Sequence, residues 1–323
     1  MRKFIVVLAT LGAATALAQD DIALAPYVEA LQASAAYLPG ASQRSLHLAN
    51  YDAASHAALA RSVFSAGVLV GSLVPAARLH AGGSLLPSTS RWSEKHYLLG
   101  AEQRCEVFIN VRDVEDSLAP GLPQHAAFAV WHELAHCSLH ELLDAAGSAD
   151  AGQTFAQQTT SGLAAVLPPD QGARAYALLN EAFADSFALL VQSAVHGNAA
   201  ALDMARALIT FRAEEQRRLG TTTDGHDTRL ALAYALQTLG QYDLSTLTPR
   251  DRTVLAMNIA IEGTVSWAER EAQAGTAVRA HLGALERRLL TAVAAAPARA
   301  PAIAVYLAFP APGTDRHRLG AGP

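Results

Sequence analysis

The sequence predicts a mostly α fold of the α+β class, with a small antiparallel sheet ahead of one long apolar helix. Alanine and leucine recur at helical spacing along most of the 323 residues, a periodicity that indicates amphipathic helices. Strand-like character is concentrated in residues 96–111. The apolar run 126–143 lacks glycine and proline and lies between Pro123 and Gly147, which predicts a single buried helix.

The chain begins with a segment that is typical of a secretory signal peptide. Arg2 and Lys3 precede a short apolar stretch, and small residues at 16 and 18 form a cleavage site before Gln19. We therefore expect residues 1–18 to be removed and the mature protein to be periplasmic or secreted.

The mature chain is long enough for one large core, and we expect a single domain over residues 19–295. An Ala/Pro/Gly-rich tail is expected over 296–323. Further helices are predicted over residues 21–35, 53–66, 154–167, 171–192, 200–218, 228–239, 249–274 and 278–295. The sheet is expected from strands at 97–99 and 106–111, which flank a hairpin loop at 100–103.

Charge and hydropathy exclude two classes of partner. The net charge of −5 and the pI near 6.2, without a basic stripe, argue against a nucleic-acid binder. Residues 62–77 are uncharged, but they fall short of the roughly 20 residues needed to cross a bilayer and contain two glycines and a proline. We expect no integral membrane span after signal removal. Nothing in the sequence indicates an oligomeric state.

The predicted helix 126–143 carries the motif His132-Glu133-Leu134-Ala135-His136. Positions i and i+4 share one helix face, so both imidazoles can reach one metal ion about 2 Å away. Glu133 lies beside them without being a ligand, where a general base is needed. His132 and His136 are thus predicted ligands of Zn²⁺.

A later predicted helix supplies two acids at i and i+4, Glu181 and Asp185, among apolar residues. Catalytic zinc sites use three protein ligands and keep a further position open. We predict that Glu181 is the third ligand. Asp185, one turn on, is expected to accept a hydrogen bond from the outer ring nitrogen of a ligand histidine.

Together these motifs resemble the gluzincin metallopeptidases, in which HExxH is followed by Glu-x-x-x-Asp. Glu-Ala-Phe-Ala-Asp at 181–185 is most similar to the CAAX-prenyl-protease and HtpX type, including its soluble periplasmic members. The resemblance implies a zincin-like domain and a sheet edge at 106–111 that holds an extended polypeptide. It also implies an oxyanion donor in the segment 223–229, with His226 as the candidate and Arg229 as an alternative. If His226 is not the donor, Arg229 or a tyrosine such as Tyr176 is the next candidate.

Other residues near the motif leave alternatives open. His140 and His125 lie on the same side of the predicted helix as the ligands. His140 is expected to lie outside the ligand shell or on the surface, and His125 is expected to be an ordinary histidine. Cys105 and Cys137 can form a disulfide in an oxidising compartment or remain two buried thiols. A di-iron site needs a second Glu-x-x-His, which the chain lacks.

The motifs favour a zinc-dependent peptidase of the cell envelope, an endopeptidase rather than an exopeptidase, acting on polypeptide substrates. Glu133 is expected to remove the proton from the attacking water and to pass it to the leaving amine. The alternatives are a catalytically inactive zinc-binding chaperone or scaffold, and a structural helical protein in which the motif is fortuitous.

Overall fold

The computed structural model describes residues 25–37, 43–52, 57–65, 68–69, 89–92, 104–110, 124–145, 155–168, 170–219 and 225–294. The chain divides into two compact units, Met1–Cys137 and Ser138–Pro323. The expected signal peptide, 1–18, and the expected tail, 296–323, lie outside the described residues. The single domain over 19–295 stays a prediction.

Among the described residues of the first unit, a helix and five strands precede the motif helix. They are α1 (Ala25–Tyr37), β1 (Gln43–Asp52), β2 (Ala57–Ser65), β3 (Val68–Leu69), β4 (Thr89–Trp92) and β5 (Arg104–Asn110), followed by the motif helix α2 (His125–Ala145). Only the part of α2 up to Cys137 belongs to the first unit. Helix α2 confirms the helix predicted over 126–143. The indole nitrogen of buried Trp131 donates a hydrogen bond to the Ala30 carbonyl at 3.1 Å, which joins α2 to α1.

The five strands form one mixed sheet in the order β3-β2-β1-β5-β4. Strand β1 pairs antiparallel with β2 and parallel with β5, with Ser45 opposite Glu106 in the parallel pair. Strand β4 pairs antiparallel with β5. Strand β5 is therefore flanked on both sides.

The predicted fold class is wrong. Among the residues whose side chains the structure describes, 88% are helical and none lies in a strand, and the strands whose backbone is described form a mixed sheet, not an antiparallel one. The helix predicted over 53–66 is also wrong, because most of that segment is β2. Strand pairing depends on partners far along the chain, and it overrides the helical preference of alanine.

The predicted hairpin and the predicted substrate edge are corrected as well. The strand predicted at 106–111 exists as β5, but its neighbours are β1 and β4. The expected partner strand at 97–99 and the loop at 100–103 lie outside the described residues. Since β5 has a neighbour on each side, it is not the open edge that the sequence was read to offer.

In the described residues, the second unit contains the rest of α2 and six further helices. These are α3 (Phe155–Val166), α4 (Gln171–His196), α5 (Asn198–Leu219), α6 (Arg229–Gln241), α7 (Pro249–Ala272) and α8 (Gly275–Ala294). Each confirms a predicted helix to within a few residues at either end. None of the described helices has both the length and the apolar character needed to cross a membrane.

Helix α4 is the centre of this unit and packs against α3, α5, α6 and α7. Every residue from 182 to 193 is buried, so the helix is surrounded on all sides over three turns. Helix α7 runs antiparallel to it: Arg174 stacks on Trp267 at 5.1 Å, and Arg252 donates to the Leu190 carbonyl at 2.9 Å. This packing holds the turn of α4 that carries Glu181 and Asp185 on a rigid support.

Candidate metal centre

The two histidines of the motif lie one turn apart on α2. Their ring centroids are 5.0 Å apart and the ring planes meet at 88°. Phe128, one turn earlier, lies 6.1 Å from the ring of His132 between centroids. Glu133, next to His132 in the chain, is buried, as is His136. The spacing alone therefore sets both imidazoles on one side of the helix.

Glu181 of α4 completes a group that can hold a metal ion. One ring nitrogen of His132, one of His136 and one carboxylate oxygen of Glu181 all lie within 4.8 Å of one another. The carboxylate side chain is 17% exposed, so it is not sealed from solvent. The structure thus brings the three predicted ligands together.

The chemistry of these donors fits a zinc ion. Two imidazoles and one carboxylate are a donor set that catalytic zinc sites use, with bonds of about 2.0–2.2 Å. Donor atoms around a tetrahedral ion lie about 3.4 Å apart, so the 4.8 Å limit requires movements of about an ångström to close the shell. The same donors also suit other divalent transition metals.

Asp185, one turn beyond Glu181, is fully buried. Its Oδ2 accepts a hydrogen bond from the Thr228 hydroxyl at 2.6 Å, and its Oδ1 lies 3.5 Å from Nη2 of Arg212. These contacts join α4 to α5 and to the start of α6. The predicted contact between Asp185 and a ligand histidine stays a prediction.

The turn 225–228 brings His226 to the same part of α4. The Nε2 atom of His226 lies 3.7 Å from Oε1 of Glu181, and the imidazole is 45% exposed. The Thr228 amide donates to the His226 carbonyl at 2.8 Å, which closes a tight turn centred on Asp227, directly after the histidine. His226 therefore lies beside a predicted ligand, as its expected role requires, while the role itself stays a prediction.

Arg229, the first alternative to His226, is engaged close by. Its Nε and Nη2 donate to the Asp227 carboxylate at 2.6 and 2.9 Å, and its Nη2 also donates to Gln216. Burial raises the pKa of Asp227, but the hydrogen bonds and charge of Arg229 outweigh it and hold that pKa below its usual value. Arg229 thus stiffens the chain after His226. Tyr176, the second alternative, lies on α4 one turn before Asn180.

The remaining predictions for this region are not tested. His125 is the first residue of α2, and its expected role as an ordinary histidine stays a prediction. The side chains of His140, Cys105 and Cys137 lie outside the described residues, so the disulfide stays a prediction too.

Sequence reasoning missed the two partners of Asp185. Thr228 carried a usable signal, because a threonine at the start of a predicted helix has a hydroxyl available for local hydrogen bonds. Arg212 carried one as well, since it directly follows the mostly apolar segment 207–211 on a predicted helix. In the structure its side chain is 10% exposed. Nothing in the sequence paired either residue with Asp185.

Comparisons with protein families, curated proteins and solved structures find no match for this chain.

Proposed function

We propose that this protein is a zinc-dependent endopeptidase that hydrolyses peptide bonds in envelope or secreted proteins, and that it belongs to the gluzincin type. The observation that carries the proposal is the convergence of His132, His136 and Glu181 within 4.8 Å. A fortuitous HExxH sequence has no reason to meet a carboxylate from a helix some 45 residues further along. The proposed location outside the cytoplasm follows from the signal-like residues 1–18.

In this proposal His132, His136 and Glu181 bind the ion. A bound zinc ion supplies Lewis acidity, which polarises a carbonyl group and makes water nucleophilic near neutral pH. Glu133, one position after His132, faces away from bulk solvent because it is buried. Its carboxylate takes a proton from the attacking water and delivers it to the leaving amine.

His226 is proposed to bind the oxygen that gains charge as the peptide carbonyl is attacked. It lies 3.7 Å from Glu181 and remains half exposed, so its ring is open to a substrate. A single donor of this kind contributes about 10²–10³ to kcat in other hydrolases.

The test is hydrolysis of a diverse peptide library by the mature chain, read by mass spectrometry with and without a zinc chelator. Glu133→Gln preserves shape and removes the base, so we expect zinc content to persist while turnover falls by about a hundredfold or more. Glu214→Gln, an exposed change on α5, is the matched control and should leave turnover unchanged.

Two results would contradict the proposal. Zinc-loaded protein that cleaves no library peptide would favour the chaperone or scaffold alternative. If the protein binds no zinc, the HExxH motif is not a zinc site and the proposal fails.

A further inference from the structure

Three residues of α4 form one line along the helix that faces the turn 225–228. Ala177, Glu181 and Asp185 are spaced by four residues, so they lie on the same face, with about 12 Å between the first and the last. Gly225 contacts the helix at Ala177, His226 approaches Glu181, and Thr228 binds Asp185. The turn therefore follows the face that carries the predicted ligand.

The first attachment requires a glycine. Gly225 is buried, and a Cβ at this position would lie 2.5 Å from Cβ of Ala177 and 3.1 Å from its carbonyl carbon. The second of these atoms is backbone in the middle of a packed helix and cannot move aside. Any larger residue must lift the turn away from α4.

The second attachment is a hydrogen bond to a buried charge. Thr228 is fully buried, and its hydroxyl donates to the Asp185 carboxylate at 2.6 Å. The other carboxylate oxygen of Asp185 lies 3.5 Å from Nη2 of Arg212, and this second contact helps to fix the orientation of the carboxylate. Hydrogen bonds to charged groups are among the strongest in proteins, so this end of the turn is well anchored.

We infer that Gly225 and Thr228 are positioning residues, which fix the turn to α4 at two points and so hold His226 beside Glu181. Only His226 and Asp227 lie between the two attachment points, and the Thr228 amide donates to the His226 carbonyl at 2.8 Å, so the turn has little freedom between them. The expected effect of these residues on hydrolysis rests on the proposed function. The attachment of the turn to α4 is independent of that function.

The experiment compares Thr228→Val, which keeps the shape and removes the hydroxyl, with Thr228→Ser, which restores it. Thr238→Val is the matched control, since Thr238 is also fully buried on α6 and its hydroxyl bonds to a local carbonyl. The first measurement is amide hydrogen exchange over residues 225–229, with zinc present. We expect exchange to rise by about tenfold in Thr228→Val only, because the lost bond involves a charged partner.

The second measurement separates positioning from general damage. Thr228→Val should lower kcat by about 10- to 100-fold with KM and zinc content little changed, and Thr228→Ser should recover most of it. In a His226→Ala background the same change should have no further effect on kcat, because Thr228 acts through His226.

A second variant covers the case in which Thr228→Val does not fold. Gly225→Ala should also raise exchange in the turn and lower kcat, whereas Gly240→Ala, where a Cβ meets nothing within 4 Å, should change neither.

Unchanged exchange in both Thr228→Val and Gly225→Ala would overturn the inference, as would an equal loss of kcat with and without His226. If the wild-type protein cleaves no peptide, the proposed function fails, and the exchange rates alone decide whether the two residues fix the turn.

Discussion

Two acids of α4 lie one turn apart but differ in their exposure to solvent and in their partners. Glu181 is partly open to solvent and faces two histidines and His226. Asp185 is fully buried between Arg212 and Thr228. The two acids of one Glu-x-x-x-Asp pattern therefore differ in role. The first is accessible to a metal ion, and the second connects α4 with α5 and with the start of α6.

The largest expected effect lies in the buried region. Asp185→Asn should lower the free energy of unfolding by about 3 kcal/mol or more, because it removes the charge of a fully buried carboxylate that contacts both Arg212 and Thr228. Urea denaturation of metal-free protein measures this. Asp203→Asn is the control, since it removes an exposed partner of Arg206 and should change stability by less than about 0.5–1 kcal/mol. Equal effects of the two changes would erase the contrast between the regions.

A change at the partly exposed Glu181 should alter zinc affinity and leave the stability of the metal-free protein nearly unchanged. Glu181→Gln should weaken zinc binding by about a hundredfold or more, because an ionised ligand becomes neutral. Its metal-free stability should stay within about 0.5 kcal/mol of wild type, as for a partly exposed position. Calorimetric zinc titration and urea denaturation check the two halves of this prediction. Wild-type zinc affinity in the variant would remove Glu181 from the ligand set.

The smallest expected change in stability comes from a comparison of two buried hydroxyl groups. Thr228 binds Asp185, whereas the Ser186 hydroxyl, fully buried on α4, has no hydrogen-bond partner among the described residues. Ser186→Ala should therefore stabilise the protein by about 0.5–1 kcal/mol, since it removes an unsatisfied polar atom and improves helix propensity. Thermal unfolding is the measurement. A lower melting temperature would show that the hydroxyl has a role in packing.

Local pattern was sufficient for the helices from residue 125 onward and for choosing three residues that can hold a metal ion. Residues 126–143 repeat apolar side chains at helical spacing, and His132 and His136 share a face whatever the rest of the chain does. The helix predicted from residue 249 begins at Pro249 as α7, where the structure adds a capping box between Thr248 and Asp251.

Strand pairing was beyond the reach of local pattern. The parallel pair β1 and β5 joins segments some 60 residues apart, and no local period records which strand a segment will meet. The error at 53–66 has the same cause, because the segment became a strand through its pairing with β1.

The sequence by itself determined that His132, Glu133 and His136 share a helix and that Glu181 and Asp185 share another, because a helix places residues i and i+4 together without outside help. Only the tertiary structure decided that Glu181 reaches the histidines, and that Asp185 binds Arg212 and Thr228. Those contacts link residues on different helices, and their formation depends on how buried surfaces pack, which no spacing along one helix contains.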